Sequence, residues 1–130
     1  MTFVDTSAFY ALLDRDDAHH AEARASWIKA LESAERLLTS NYVVVETTAL
    51  LQHRLGIAAV RAFTQDVLAV AEVEWMTPED HAAASAAHLL AGRRDLSLVD
   101  CASFQIMRRI GMRRAFAFDE DFRQQGFEMA

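Results

Sequence analysis

The sequence predicts an α/β/α sandwich built on a central parallel sheet. Three observations point to it. Short β-rich runs alternate with longer helical ones, and no repeat, low-complexity segment or linker interrupts them. Only four Gly and one Pro stand among 130 residues, so few helix breakers are available to the connections. Apolar residues make up 52% of the chain, enough for a core on both faces of a sheet whose strands are separated by helices. The length suits one domain spanning residues 1–130.

Thr2–Asp5 reads as the first strand, followed by helices from about Ser7 to Leu13 and from about Asp17 to Arg36. Leu37–Thr39 is a short second strand, and Ser40-Asn41 supplies helix-starting residues for Tyr42–Arg54. After Gly56, Ile57–Ala71 carries Val60, Phe63, Val67 and Val70 at helical spacing. Val73–Met76 is a third strand. Thr77-Pro78 then has the N-cap and N1 chemistry of a helix running to about Ala91. A further helix covers Leu98–Ile110 and closes on Gly111. Ala115–Phe118 forms the fourth strand and Phe127–Met129 a short fifth.

Composition removes several function classes. A net charge of −6 argues against binding nucleic acid through a broadly basic surface. It leaves room for a nucleic-acid enzyme that spends acids on metal and concentrates Arg locally. Lys29 is the one lysine, so the other basic residues are Arg, the side chain suited to bidentate phosphate contacts. No apolar run reaches the ~20 residues of a membrane span, and Met1-Thr2-Phe3-Val4-Asp5 has no basic leader, so the expected location is the cytoplasm. Gly56, Gly92, Gly111 and Gly126 are too scattered for a dinucleotide fingerprint or a P-loop. There is no nucleophile elbow and no His-Glu-x-x-His helix, and Cys101 lies in an apolar stretch without a nearby His.

Four carboxylates have a different address from the rest. Asp5 ends the first strand, where it either caps the next helix or serves as a ligand at a strand's carboxyl end. Glu46 lies in an apolar run; helical spacing puts it with Tyr42, Val45, Ala49 and Leu50, where a charge needs an ion pair or a metal. Asp100 completes Ser97-x-x-Asp100, a capping-box pattern, and a carboxylate in a helix's first turn is also held ionised as a magnesium ligand requires. Asp119 ends the fourth strand, with Asp121 close behind, where turn chemistry is the alternative. In a parallel sheet the carboxyl ends of the strands share one edge. If the first and fourth strands are neighbours, Asp5 and Asp119 face one crevice. Carboxylates that close cannot all stay ionised without a cation, and an oxygen-only set selects Mg²⁺ or Mn²⁺, ions that hydrolyse phosphodiesters.

Val4-Asp5-Thr6-Ser7-Ala8, the run from Asn41 to Glu46, Leu96-Ser97-Leu98-Val99-Asp100-Cys101-Ala102-Ser103 and Ala115-Phe116-Ala117-Phe118-Asp119-Glu120-Asp121-Phe122 together resemble the PIN-domain nucleases. The form of these motifs is most similar to the VapC-type toxins of bacterial type II toxin–antitoxin pairs. The resemblance implies a Mg²⁺- or Mn²⁺-dependent endoribonuclease with sheet order 3-2-1-4-5. It implies Asp5, Glu46, Asp100 and Asp119 as the acidic quartet, with Asp5 and Asp100 as direct metal ligands. Glu46 and Asp119 would bind through water, hold a second ion or orient the attacking water. Thr6 or Ser7 matches a hydroxyl position that steadies the first Asp, and Asp121 falls where the family's acid is less constant. A homodimer and a cognate antitoxin that occludes the site, giving a toxin–antitoxin hetero-oligomer, are also implied.

RNA would then be held by local cations. Arg108, Arg109, Arg113 and Arg114 cluster around the end of the Asp100 helix, with Arg93-Arg94 just before it. They either complement that helix's dipole or contact phosphate beside the metal site. The rival readings are a PIN-like module that only binds, and a Mg-dependent phosphohydrolase of another type. A haloacid-dehalogenase-like enzyme needs a second Asp where Ser7 stands, and a receiver domain needs a late Lys that this chain lacks.

Overall fold

The computed structural model describes residues 1–130. β1 (Thr2–Val4) runs into α1 (Thr6–Leu13) and α2 (His20–Glu32). β2 (Leu37–Ser40) is followed by α3 (Asn41–Arg54) and α4 (Ile57–Ala62), and β3 (Glu72–Glu74) by α5 (Pro78–Ala91) and α6 (Leu98–Ile110). β4 (Arg114–Phe116), the short α7 (Asp121–Gln124) and β5 (Glu128–Met129) complete the chain. The sheet is all parallel, in the order β3-β2-β1-β4-β5. The three-layer sandwich expected from the alternation of elements is the observed fold.

β1 is central because every residue in it is apolar or small and buried, as in β2 beside it. Phe3 sits opposite Leu38 on one side and Ala115 on the other. The chain leaves β1 toward β2 and returns on the far side as β4, so the crevice between β1 and β4 is the topological switch point of the sheet. Phe9 of α1 anchors one part of the core, edge-on to Trp27 and Phe63 at centroid distances of 6.2 and 5.0 Å. Phe104, Phe122 and Phe127 form another aromatic cluster, between α6, α7 and the start of β5.

Element boundaries differ from expectation where local bonding intervenes. The second helix starts at His20, later than Asp17, because the Asp17 carboxylate accepts from His19 N–H at 2.9 Å and folds those residues into a turn. Ser40 belongs to β2 and also N-caps α3 by accepting from Val43 N–H. β4 stops at Phe116, short of Phe118. Phe116 faces Val4, and once Asp5 N–H has bonded Phe116 carbonyl, β1 turns into α1 and offers no further partner. The expected helix Ile57–Ala71 is regular only to Ala62. It then widens into a π turn over Phe63–Val67 and tightens into a 3₁₀ turn over Leu68–Val70. The wide turn shifts the phase of the apolar stripe, so Phe63 is buried while Val70 is exposed.

Asp80 is the one fully buried charge whose partners are all structural. It forms the capping box of α5 with Thr77 and accepts from Arg109 Nε at 3.0 Å. Arg109 also reaches Glu74 at 3.2 Å, tying β3 and α5 to the end of α6. Burial alone would raise the Asp80 carboxyl, but the Thr77 and Arg109 donors outweigh it and hold it below the ordinary 3.8. Asp80→Asn is therefore expected to destabilise by about 2–3 kcal/mol at neutral pH, measured by urea unfolding, because Arg109 loses the buried one of its two charge partners and keeps only Glu74. A depressed folded value contributes stability above the unfolded value and loses it as pH falls. The gap between wild type and variant should close below about pH 4.

Candidate acidic active site

Asp5 follows β1 directly and is almost fully buried. Its Oδ2 accepts both Ser7 N–H at 3.1 Å and Ser7 Oγ–H at 2.7 Å, which leaves Oδ1 free. Ser7 Oγ in turn accepts Phe118 N–H at 2.9 Å, so one hydroxyl fastens the end of β1 to the segment after β4. Both sequence readings of Asp5 are compatible with this, because the cap uses only one oxygen. Burial pushes its carboxyl up to about 7; the Ser7 bonds oppose this, and the negative field of Asp100 and Glu46 adds to it.

Glu46 is half-buried on α3, with its carboxyl raised by burial and by Asp100 and lowered by the Thr6 hydroxyl. The helix face expected for it is corrected by the structure. The core stripe of α3 is Val43, Thr47 and Leu51, while Val45 and Ala49 are exposed. Glu46 therefore stands on the border of that stripe. Thr6 is buried beneath it and accepts from Thr47 Oγ1 at 3.0 Å.

Asp100 occupies the third position of α6. The expected capping box is present, with Ser97 N–H donating to Asp100 Oδ2 and Asp100 N–H to Ser97 Oγ. Here too one oxygen caps and the other is free. Burial raises this carboxyl, Ser97 opposes, and Asp121 and Arg93 act in opposite senses on it. Asp119 Oδ1 accepts Asp121 N–H at 2.9 Å, and its carboxyl is also raised, first by burial and then by Asp100 and Asp121. Carboxylate oxygens of Asp100, Asp119 and Asp121 all lie within 4.8 Å of one another. Asp121 is thus a closer neighbour of Asp100 than its supporting position in the sequence suggested.

Asp5, Glu46, Asp100 and Asp119 all have raised carboxyls, and in each case burial comes first. Carboxyl groups buried together hold protons unless a cation takes their place. The donors at this edge are oxygens, and neighbouring Cys101 is buried with its thiol pushed up, so it offers no thiolate. An oxygen set of this kind suits a hard divalent cation.

The arginine cluster sits elsewhere. Arg109 is taken by Asp80 and Glu74, and Arg108 donates to Gln125 and lies 5.4 Å over Phe127. Arg113 precedes β4 and Arg114 begins it, paired in register with Thr2 at the start of β1. Since the acids follow the strands, residues that precede a strand lie at the opposite edge of a parallel sheet. The placement of Arg113 and Arg114 beside the acids is corrected accordingly, whereas Arg108 and Arg109 are engaged by other side chains. Two further side chains neighbour the site, one from the Arg93-Arg94 pair weighed in the sequence and one that the sequence did not signal. Arg93 reaches Asp121 at 3.0 Å, and His19 stacks on Phe118 at 4.4 Å.

Residues 2–128 match the model of the PIN domain family. The chain is 38% identical over 128 residues to the 23S rRNA-specific endonuclease VapC20 of Mycobacterium tuberculosis, covering 98% of this chain and 95% of that protein. The crystal structure of M. tuberculosis VapC20, described as a sarcin-ricin loop cleaving toxin, superposes with a TM-score of 0.85 at 36% identity, covering 98% and 96% of the two chains. FitAcB from Neisseria gonorrhoeae shares the fold at a TM-score of 0.70 and 14% identity, covering 99% and 96%. PAE2754 from Pyrobaculum aerophilum does so at 0.63 and 20%, covering 98% and 87%.

Proposed function

The chain belongs to the PIN-domain family, and from that premise we propose that it is a metal-dependent endoribonuclease acting as the toxin of a toxin–antitoxin pair. The observation that carries the reading is the cluster of Asp100, Asp119 and Asp121, whose carboxylate oxygens lie within 4.8 Å of one another, with Asp5 and Glu46 near enough for the charge of Asp100 to raise both carboxyls.

Asp5 and Asp100 are assigned as direct ligands of Mg²⁺ or Mn²⁺, through the oxygen that each leaves free of its cap. Asp119 and Asp121 complete the oxygen set from the far side of the crevice. When bound, the cation supplies Lewis-acid chemistry, lowering the pKa of water and offsetting charge on the phosphoryl oxygens. Ser7 fixes the Asp5 carboxylate, and the Thr6 hydroxyl favours the charged form of Glu46. Glu46, half-buried with a raised carboxyl, is matched to receive the proton of the attacking water at its carboxylate oxygen. Attack by water on phosphorus breaks the bond to the 3′ oxygen, so the ends are 5′-phosphate and 3′-hydroxyl.

The similarity to VapC20 makes the 23S rRNA sarcin-ricin loop the first substrate to test. Purified protein incubated with ribosomal RNA and Mg²⁺ is expected to yield 5′-phosphate ends. A 2′,3′-cyclic phosphate would reject the mechanism, and RNA binding without any cleavage would favour the PIN module that only binds. The partner is a cognate antitoxin whose Arg or Lys enters the acidic crevice, and its affinity should fall as Mg²⁺ rises. The homodimer would cover apolar side chains that one copy leaves exposed, Leu89 and Leu90 at the end of α5 among them. No helix is long and apolar enough to cross a membrane.

A further inference from the structure

Arg93 is the basic side chain whose ion pairs reach the acids of this site. It follows Gly92, which ends α5 in the left-handed region at φ 60°, and so opens the loop that leads to Asp100. Its Nε and Nη2 each lie 3.1 Å from an oxygen of Asp95, and Nη2 also lies 3.0 Å from Asp121 Oδ1. The two carboxylates differ sharply. Asp121 is 11% exposed at its side chain and belongs to the cluster, whereas Asp95 is 77% exposed and stands outside it.

Charge alone distinguishes this arrangement from the one a bound cation would favour. Without metal, Asp121 is a buried carboxylate in need of a counter-ion, and Arg93 supplies one. A divalent cation among Asp100, Asp119 and Asp121 neutralises the same charge and repels the guanidinium. Arg93 is about half exposed and sits in a loop beside a glycine, so it can turn away from Asp121 without disturbing the core. Its bidentate hold on Asp95 keeps it at the rim. A guanidinium left there faces whatever anion approaches the metal, and phosphate oxygens match its fork. In a chain of net charge −6, with Arg109 committed to Asp80 and Glu74, such a local cation is what a polyanion needs.

We propose that Arg93 binds the RNA phosphate at this site, resting on Asp121 in the metal-free protein and passing to the substrate when metal enters. The inference rests on the nuclease reading of the acids. Its test uses Glu46→Gln protein, which keeps every assigned metal ligand but should bind RNA without cutting it. Affinity for a fluorescein-labelled RNA hairpin in Mg²⁺ is read by anisotropy, and Mn²⁺ affinity without RNA by calorimetry. Adding Arg93→Gln should weaken RNA binding about tenfold, the scale of one lost charge-assisted contact, while Mn²⁺ binds several-fold more tightly because its competitor is gone. RNA and Mn²⁺ affinities both unchanged in a folded double variant would overturn the proposal.

A second measurement needs no substitution at Arg93. In the Glu46→Gln protein the Arg93 Nε–H resonance should shift on adding Mg²⁺ and again on adding RNA, and a resonance indifferent to both would overturn the proposal equally. Glu46→Gln protein that binds no RNA in Mg²⁺ would reject the nuclease reading together with this inference. Full RNA binding by the folded double variant, with the Arg93 resonance of the Glu46→Gln protein unmoved by Mg²⁺ and RNA, would reject this inference alone.

Discussion

Asp100→Asn and Asp5→Asn are each expected to lower RNA cleavage by about 10³-fold, the scale of losing an essential charge at a reacting centre, while leaving the metal-free protein as stable as wild type or more so. Asn retains the acceptor that each cap requires. Both Ser7 donors converge on Asp5 Oδ2, and Ser97 N–H uses Asp100 Oδ2 alone. What the substitutions remove is a buried charge that repels its neighbours. The sign of the pH effect follows. The Asp5 carboxyl lies at about 7 in the folded chain against an ordinary 3.8, so the folded state keeps a proton that the unfolded state has lost. Metal-free wild type should lose stability as pH rises through that interval, whereas Asp5→Asn should be flatter across it. Thermal unfolding at several pH values reads both. If the two variants unfold instead, these carboxylates serve mainly as caps.

Removing divalent metal is expected to have the largest effect of all. Excess chelator should bring cleavage down to background, and Mg²⁺ or Mn²⁺ should restore it. The same ions should raise the melting temperature, because a ligand of the native state alone stabilises it by about 2.7 kcal/mol at one hundred times its Kd. The gain should shrink in Asp100→Asn. Undiminished cleavage by clean protein in excess chelator would remove the metal from the mechanism.

Much of this site could be read in the sequence because strand ends carry their own punctuation. Asp5 stands where an apolar strand meets Thr6-Ser7, and Ser97-x-x-Asp100 announces a helix start that the structure bears out residue by residue. Thr77-Pro78 did the same for α5. Asp121 was harder to place because its position depends on α7, a four-residue helix too short to show a period. Arg93 was read as a dipole or phosphate contact beside Asp100, but its pairing with Asp121, 28 residues away, left no mark in the sequence. The error over Arg113 and Arg114 came from treating proximity in sequence to α6 as proximity to Asp100. α6 carries the chain from the acidic edge to the opposite one before β4 begins. The π turn at Phe63–Val67 escaped notice because Val60, Phe63, Val67 and Val70 fit a regular helix equally well on spacing alone.

The most direct measurement is anomalous diffraction from crystals soaked in Mn²⁺. The account predicts a peak in the crevice between β1 and β4, within about 2.0–2.3 Å of the free oxygens of Asp5 and Asp100 and flanked by Asp119 and Asp121, with Arg93 turned away from Asp121. Crystals that bind Mn²⁺ only elsewhere, or leave these carboxylates without a peak at a pH where RNA is cleaved, would contradict it.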